Sequence, residues 1–428
     1  MPHPHIFFAH SGGVTAALNA TACGVIQTAR TSTSSRVYAG EYGILGAIHE
    51  RLIDTTQWSD QSIQALYHTP SSAFGSCRYK LGSHQQGQQE LERIFEVFDA
   101  HQIGYFIYNG GNDSQDTTHR ISQYAQHIGY PLRCIGLPKT IDNDLPHTDT
   151  CPGFGSAAKY IATSVQETAL DVQAMHTTST KVFILEVMGR DAGWLAASSA
   201  LAQRQAHQAP HLILLPEVPF KPQAFIQAVQ HCVSTNGFCI VVASEGIQDT
   251  QGRYLNVTQT TDAFGHNQLG GVAPQLAHLV QTQCTFKTHW ACADYLQRSA
   301  RHLASQCDIE QAYTLGQAAI HELMKGTQDV MLTLTRQQSQ PYRWGIGHVP
   351  LDQVANATRT LPPEWIRSDG FHITPECKAY LAPFIEGEAS IPYHKGLPDY
   401  PNFPITLAPR QCPIFKPDTH PILEHESV

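Results

Sequence analysis

The stretch GLPKTIDNDLP, residues 136–146, joins the end of an apolar run to a dense group of polar and charged residues. The run before it, Leu132–Leu137, has the length of a buried parallel strand. Pro138 has no N–H to donate, so it predicts the strand's end. One lysine and two aspartates follow at that end, where ligands bind in open α/β sheets: Lys139, Asp142 and Asp144. The stretch predicts a phosphate site with a proton acceptor, although in isolation a polar turn that caps the next helix explains it equally well.

Two further turns have the same strand, glycine pair and helix order. Residues 5–10 read as a strand before Gly12 and Gly13, and residues 104–108 read as a strand before Gly110 and Gly111. This order brings backbone N–H groups of a helix N-terminus close to a phosphate. One Gly-Gly turn alone is weak evidence, because any tight strand-to-helix turn can use it. Together with residues 136–146, the turns predict one anion-binding cleft.

The second half of the chain supplies more candidates at strand ends. A hydrophobic strand from Lys181 ends in Met-Gly-Arg at residues 188–190, and a strand at 237–243 is followed by Glu245. Tyr295 and Arg298 lie one helical turn apart, so both donors fall on one face. In the first half, Arg78 lies in a Ser-rich loop and offers a planar fork that can bridge two phosphates. By spacing alone, Arg78 and Glu245 are also explained as surface residues.

Composition narrows the class of protein. The chain has 428 residues, 42% of them hydrophobic and 15% charged, which predicts a globular protein of about two domains. The net charge of −9 and the lack of a basic run argue against a nucleic-acid partner. We see no apolar run long enough for a membrane span and no signal peptide. The 11 scattered cysteines predict reduced thiols in a cytoplasmic protein, and the spacing of the 24 histidines, His211 among them, predicts no zinc site.

Strands alternate with helices along the chain, which predicts an α/β fold. We expect two Rossmann-like, three-layer α/β lobes with mostly parallel sheets. The predicted divisions are a first lobe at 1–150 and a second lobe at 151–296. A helical segment follows at 297–345, and a Pro-rich C-terminal extension at 346–428.

The segment KTIDND, residues 139–144, resembles the signature loop of the phosphofructokinase family. It is most similar to the pyrophosphate-dependent branch, because Lys139 stands where ATP-using members usually have glycine. The likeness extends in order from Ile6 to Lys325 and includes the first Gly-Gly turn, Arg78 and the Met-Gly-Arg segment. It implies the phosphofructokinase fold, with a donor-binding lobe at 1–150, a sugar-phosphate-binding lobe at 151–296 and a helical return of the chain to the first lobe at 297–345.

The resemblance implies a role for each candidate. Asp142 would be the catalytic base, and Lys139, Arg78 and Mg²⁺ would stabilise the moving phosphoryl group. Pyrophosphate would bind to Gly12, Gly13, Gly111 and Lys139. Fructose 6-phosphate would bind to Thr140, Ile141, Asp142, Met188, Gly189, Arg190, Glu245, Tyr295 and Arg298. Lys181 is the candidate that would complete the 6-phosphate site of a neighbouring subunit, so we expect a homo-oligomer, most simply a dimer.

Two positions of the second Gly-Gly turn bear on the metal and the donor. Asn112 stands where the family usually has a metal-linked aspartate, and an amide oxygen can still bind Mg²⁺. The predicted metal residues are therefore Asn112 and Asp144. Asp113 occupies the second acidic position, where in pyrophosphate users a carboxylate fills the space of the ATP α-phosphate.

The function that follows is phosphoryl transfer from pyrophosphate to the 1-hydroxyl of fructose 6-phosphate. Three alternatives stay open. They are the same chemistry on another sugar phosphate such as sedoheptulose 7-phosphate, a non-catalytic sugar-phosphate-binding subunit, and a nucleotide-dependent oxidoreductase. The last is disfavoured because no Gly-x-Gly-x-x-Gly opens the first unit.

Overall fold

The computed structural model describes residues 4–82, 84–255, 257–261 and 267–415. The strands are β1 His5–His10, β2 Val37–Gly40, β3 Leu52–Asp54, β4 Ile103–Gly110, β5 Arg133–Pro138, β6 Val182–Val187, β7 Leu212–Leu214, β8 Cys239–Ser244, β9 Val257–Thr261, β10 Asn267–Leu269, β11 Thr288–Cys292, β12 Val330–Ser339, β13 Tyr342–Pro350, β14 Tyr393–His394 and β15 Leu397–Pro398. The helices are α1 Leu18–Ser32, α2 Leu45–Ile48, α3 Asp60–His68, α4 His84–Ala100, α5 Asn112–Ile128, α6 Phe154–Met175, α7 Trp194–Ser198, α8 Pro222–Asn236, α9 Val272–Cys284, α10 Leu296–Ser299, α11 Gln306–Lys325 and α12 Pro375–Leu381.

A seven-stranded sheet organises the first lobe, in the order β13-β12-β5-β4-β1-β2-β3. Its inner pairs, from β12 to β2, are parallel, and only the outermost pair on each side is antiparallel. The carboxyl ends of β1, β4 and β5 therefore meet at one edge of the sheet. Three of the predicted polar segments begin at that edge.

A four-stranded parallel sheet, β11-β6-β8-β7, organises the second lobe. Successive side chains along its strands pack alternately into two apolar layers, one on each face of the sheet. In β6, Val182 and Ile184 pack in one cluster with α8 and α9, whereas Leu185 and Val187 pack in the other with α6. The same alternation occurs in β1, where Ile6 and Phe7 belong to clusters on opposite faces. Both lobes are thus three-layer α/β structures, as the alternating sequence pattern predicted.

The chain re-enters the first lobe after residue 300. Helix α11 packs beside α1, and β12 then pairs in parallel with β5. The segment 297–345 is therefore not wholly helical, and the division predicted at 345/346 falls within β13. The alternation of Leu332 and Leu334 with Thr333 and Thr335 is the strand signal that was overlooked when the segment was interpreted as helical.

The C-terminal extension belongs to the core of the second lobe rather than only to its surface. Leu361, Ile373, Cys377, Leu381 and Phe384 are buried in the same apolar cluster as α6 and α7. The sequence interpretation assigned no specific role to this segment, because its prolines conceal the periodicity of its short elements. The part beyond residue 415 lies outside the described residues. No helix among the described residues is both long and apolar enough to cross a membrane.

Candidate active site

The first Gly-Gly turn brings two cations close to the backbone. Gly12 has a φ of +75°, and a Cβ there would lie 3.2 Å from the Lys139 Nζ. A Cβ at Gly13 would lie 2.7 Å from the Arg298 Nη1, with Arg78 also nearby. A side chain at either position would thus push into the space of a cation. The turn is shaped for a small anion held between backbone and positive charges.

The second turn starts α5 and presents its polar side chains to the same space. Gly111 is the N-cap of α5, and Asn112 and Asp113 are its first two residues. The Asn112 Nδ2 donates to the Asp144 Oδ2 at 3.3 Å, while the Asn112 Oδ1 is buried and has no hydrogen-bond partner in the part of the chain that the structure describes. A buried acceptor without a donor is costly, and a cation would satisfy it. The Lys80 Nζ lies 3.7 Å from the Asp113 Oδ1.

Lys139 is buried between the two turns. Its Nζ donates to the Gly13 carbonyl oxygen at 2.8 Å, and its backbone N–H donates to the carbonyl of Gly110. Burial and then the nearby Arg298 lower the pKa of Lys139 to about 8, and the carboxylate of Asp142 opposes this shift. The ammonium is thus held in place and only modestly solvated, which strengthens its interaction with a bound anion.

Asp142 and Asp144 form a half-buried pair of neighbouring carboxylates. Burial, the neighbouring Asp144 and then Glu245 raise the pKa of Asp142 to about 7. Burial also raises the pKa of Asp144. A carboxyl group with a pKa near the working pH is suited to general-base catalysis. The local backbone supports this placement, because the Asp142 N–H donates to the Thr140 Oγ1 at 3.0 Å and Asn143 adopts a left-handed φ of 55°.

The second sheet contributes the opposite wall. Arg190 follows β6, and its backbone N–H donates to the Glu245 Oε1 at 3.4 Å. Burial raises the pKa of Glu245 to about 7. Gly189 has a φ of +135°, and a Cβ there would lie 2.7 Å from the Ala192 carbonyl oxygen. The Arg298 guanidinium lies 3.9 Å from the ring centre of Tyr295, which confirms that these two side chains share a face.

Two adjoining cavities occupy the cleft. One, of about 350 Å³, lies at the first sheet and includes in its lining Gly12, Gly13, Arg78, Gly111, Asn112, Asp113, Lys139, Thr140, Asp142, Asp144 and Arg190. The other, of about 750 Å³, lies towards the second sheet and includes in its lining Gly13, Arg78, Lys139, Thr140, Ile141, Asp142, Met188, Arg190, Glu245, Tyr295 and Arg298. Lys139 and Asp142 line both cavities. A group bound in one can therefore react with a group bound in the other beside these two residues.

Two predicted site residues line neither cavity. Gly189 shapes the turn between Met188 and Arg190. Lys181 immediately precedes β6, at the end of the strand opposite Met188, and its backbone N–H donates to the Lys287 carbonyl. Lys181 is thus distant from the cleft of its own chain. Its predicted role in a neighbouring subunit stays a prediction.

The sequence did not reveal Arg359, which binds the backbone of the loop that follows Lys139. The guanidinium donates to the carbonyl oxygens of Asn143 at 2.8 Å and Thr148 at 2.5 Å, and its backbone N–H donates to the Asp144 carbonyl at 2.7 Å. It also lies 4.7 Å from the ring centre of Trp194, in the second lobe. No motif marks Arg359, because its partners are backbone atoms more than 200 residues earlier in the chain.

Glu186 was also missed as a positioning residue, although it lies in the segment that resembled the family. This buried residue of β6 accepts from the backbone N–H groups of Gly271 at 2.9 Å and Ala273 at 2.8 Å. It thereby fixes the N-terminus of α9 beside the larger cavity. A buried glutamate within an apolar strand was the available signal.

Comparison with known proteins agrees with this geometry. Residues 5–323 match the family model described as Phosphofructokinase. A protein of Methylococcus capsulatus named pyrophosphate–fructose 6-phosphate 1-phosphotransferase is 53% identical over 396 residues, 92% of this chain and 94% of that protein. The crystal structure of a pyrophosphate-dependent phosphofructokinase from Marinobacter aquaeolei is 51% identical, covers 97% of this chain and 100% of its own, and superposes with a TM-score of 0.88. The corresponding protein of Nitrosospira multiformis is 49% identical, covers 96% of this chain and 100% of its own, and has a TM-score of 0.90. The predicted fold and resemblance are confirmed, and the chain belongs to the phosphofructokinase family.

Proposed function

We propose that the protein transfers a phosphoryl group from pyrophosphate to the 1-hydroxyl of D-fructose 6-phosphate, giving fructose 1,6-bisphosphate and phosphate, reversibly. The observation that carries this proposal is the position of Asp142 and Lys139 on the boundary between the two cavities. Relatives at about half identity bear the name of this activity. The smaller cavity then takes the donor, and the larger one takes the sugar phosphate.

In this reaction Asp142 accepts the proton of the 1-hydroxyl, and the resulting oxygen attacks the nearer phosphorus. The bond from that phosphorus to the bridging oxygen breaks, and phosphate leaves. Lys139 and Arg78, which line both cavities, balance the negative charge of the transferring group. Positioning and electrostatic stabilisation supply most of the rate enhancement in phosphoryl transfer.

We further propose Asn112 and Asp144 as the Mg²⁺ residues. The Asn112 Oδ1, which has no partner among the described residues, and the half-buried Asp144 carboxylate are oxygen ligands of the kind that Mg²⁺ prefers. When bound, the ion would supply positive charge to the phosphate oxygens of the donor.

We also propose that the protein works as a cytoplasmic homodimer. The edge strand β11 and the turn after it expose large apolar side chains, namely Trp290, Tyr295 and Leu296. Contiguous exposed apolar side chains favour a protein interface. Because Tyr295 also lines the larger cavity, a partner on this edge would reach the sugar-phosphate site. Light scattering that finds an active monomer at assay concentration would contradict the dimer.

Donor choice is tested by measuring kcat/KM with fructose 6-phosphate and either pyrophosphate or ATP. We expect pyrophosphate to be preferred, because Asp113 would repel an α-phosphate and fill its volume. Replacing Asp113 and Lys139 together by glycine should depress pyrophosphate activity and weaken the discrimination against ATP. An unmodified protein that uses ATP at least as well as pyrophosphate would overturn the proposal. A parallel assay with sedoheptulose 7-phosphate tests the choice of sugar.

A further inference from the structure

Two cysteines and a histidine meet at the far end of the second sheet from the cleft. His211 directly precedes β7, Cys232 lies in α8, and Cys239 begins β8. One ring nitrogen of His211 and the two sulfur atoms all lie within 4.8 Å of one another. Gly237, with a φ of 83°, ends α8 and lets the chain turn back so that the two cysteines face each other. The opposite end of β8 leads to Glu245, so this cluster is separate from the active site.

The Cys232 sulfur has polar neighbours. The Asn236 Nδ2 donates to it at 3.5 Å. The His211 Nδ1 accepts from the Ile240 N–H at 2.9 Å, so a neutral His211 carries its proton on Nε2. That Nε2 is buried and has no hydrogen-bond partner among the described residues.

These neighbours favour the thiolate form of Cys232. Interactions with Cys239, then with His211 and Asn236, lower the pKa of Cys232 to about 5 despite its burial. Burial and the neighbouring sulfur raise the pKa of Cys239 instead. One contact opposes this arrangement, because a Cys232 thiol would donate to the Phe238 carbonyl oxygen at 3.4 Å, which favours the protonated form. Together these interactions favour a thiolate at Cys232 beside a thiol at Cys239.

The same three side chains are of the kinds that bind zinc, but the histidine tautomer argues against a metal. The lone pair of Nδ1 is engaged by the Ile240 N–H, and a protonated Nε2 has no lone pair to give. Metal binding would require this hydrogen bond to break. A thiolate beside a second thiol, by contrast, is the arrangement of redox-active cysteine pairs.

We propose that Cys232 and Cys239 form a dithiol that hydroperoxides oxidise reversibly to a disulfide. Cys232 is 6% exposed, and the flanking His211 and Asn236 are partly exposed, which admits a molecule as small as hydrogen peroxide. This inference is independent of the phosphoryl-transfer activity.

The chemistry balances with hydrogen peroxide as the oxidant. The Cys232 thiolate attacks one peroxide oxygen, the O–O bond breaks, and the departing hydroxide takes a proton to become water. The Cys239 sulfur then loses its proton and attacks the Cys232 sulfur, and the S–O bond breaks to release a second water. Two thiols and one peroxide thus give one disulfide and two waters.

The sequence makes the test direct. Trypsin cuts after Arg204 and Arg253 but not at Lys221, which precedes Pro222, so one peptide contains both cysteines and no other. The reduced full-length protein is treated with hydrogen peroxide, alkylated and digested with trypsin, and the peptide masses are measured by mass spectrometry. We expect this peptide to become lighter by two hydrogens and to escape alkylation, with reversal by dithiothreitol. Cys232→Ser should abolish the change, and Cys239→Ser should leave a Cys232 sulfenic acid that dimedone traps.

Cys284→Ser is the matched control, because Cys284 is buried in the same apolar cluster but is not one of the three grouped side chains, and it should leave the oxidation intact. A second measurement is the pH dependence of Cys232 alkylation, whose midpoint should rise from about 5 when His211 is replaced by asparagine. The proposal is overturned if the wild-type peptide stays reduced at a peroxide concentration that oxidises the exposed Cys292. It is also overturned if one equivalent of zinc binds and blocks alkylation of both cysteines. The wild-type result decides the matter even if a variant fails to fold.

Discussion

The catalytic loop, residues 138–149, and the segment that binds its backbone, residues 351–361, differ in how the sequence encodes their roles. The loop carries its chemistry in adjacent residues, with Lys139, Asp142 and Asp144 within six positions. From residues 351–361, Arg359 binds the loop through backbone carbonyls. The reacting groups are therefore visible as a local pattern, whereas the residue that holds them in place is not. Chemistry and positioning are separate properties of this site, and each can be removed alone.

The largest expected effect comes from removing the proton acceptor. Asp142→Asn keeps the shape of the side chain, so kcat should fall by about 10²–10⁴-fold while the KM for the sugar phosphate changes little. Steady-state kinetics measure both values. Asp171→Asn, an exposed aspartate on α6, is the control and should behave as the wild type. A near-normal kcat for Asp142→Asn would remove Asp142 from the chemistry.

A smaller loss is expected when the loop loses its support. Arg359→Ala removes hydrogen bonds from a charged donor, each worth about 1.5–3 kcal/mol, and we expect kcat to fall by about 10–10²-fold with KM nearly unchanged. Arg359→Lys should recover only part of the rate, since lysine cannot reach two carbonyls with a fork. The exposed Arg343→Ala is the matched control. Equal losses in kcat for the alanine and lysine variants, together with a lower thermal midpoint, would indicate a purely structural role.

The pH dependence tests the loop's electrostatics. The pKa of Asp142 is raised to about 7, so below that pH the carboxyl is protonated and cannot accept a proton. The pKa of Lys139 is lowered to about 8, so above that pH the ammonium loses its charge. We expect kcat/KM to be bell-shaped and to fall about tenfold per pH unit on each side. An acid limb that Asp142→Asn retains unchanged would assign that limb to another group, such as Glu245.

The replacement Asp142→Asn should lower activity but raise stability above about pH 7. Because the folded-state pKa of Asp142 lies above its ordinary value of 3.8, the folded protein loses stability as the pH rises from about 4 to about 7. Asp142→Asn should therefore stabilise the protein at pH 8, by about 1–4 kcal/mol, and have little effect near pH 4. Thermal midpoints at the two pH values, with Asp171→Asn as the reference, measure this difference. A lower midpoint at pH 8 would contradict a strained, buried carboxylate.

The extent of what could be predicted follows the same division. The two Gly-Gly turns and residues 136–146 predicted both the strands before them and the site that they form, because a strand end fixes where the next residues lie. Arg359, Glu186 and the Cys232–Cys239 pair were not anticipated, because their contacts join residues that only the tertiary fold brings together. His211 shows no ligand spacing in the sequence, yet one of its ring nitrogens lies within 4.8 Å of two sulfurs. The strands β12 and β13 were overlooked because a helical interpretation was extended past the end of α11 at Lys325.

The order of strands in the first sheet has a consequence for synthesis on the ribosome. Strands β12 and β13 complete that sheet beside β5, but nearly two hundred residues separate Pro138 from Val330, and the whole second sheet is made between them. A nascent chain that has just finished β5 therefore has an open, apolar sheet edge and an α1 without its partner α11. The amino-terminal lobe stays incomplete until β12 and β13 have been synthesised. It is a lobe of the mature protein without being an independent unit of folding.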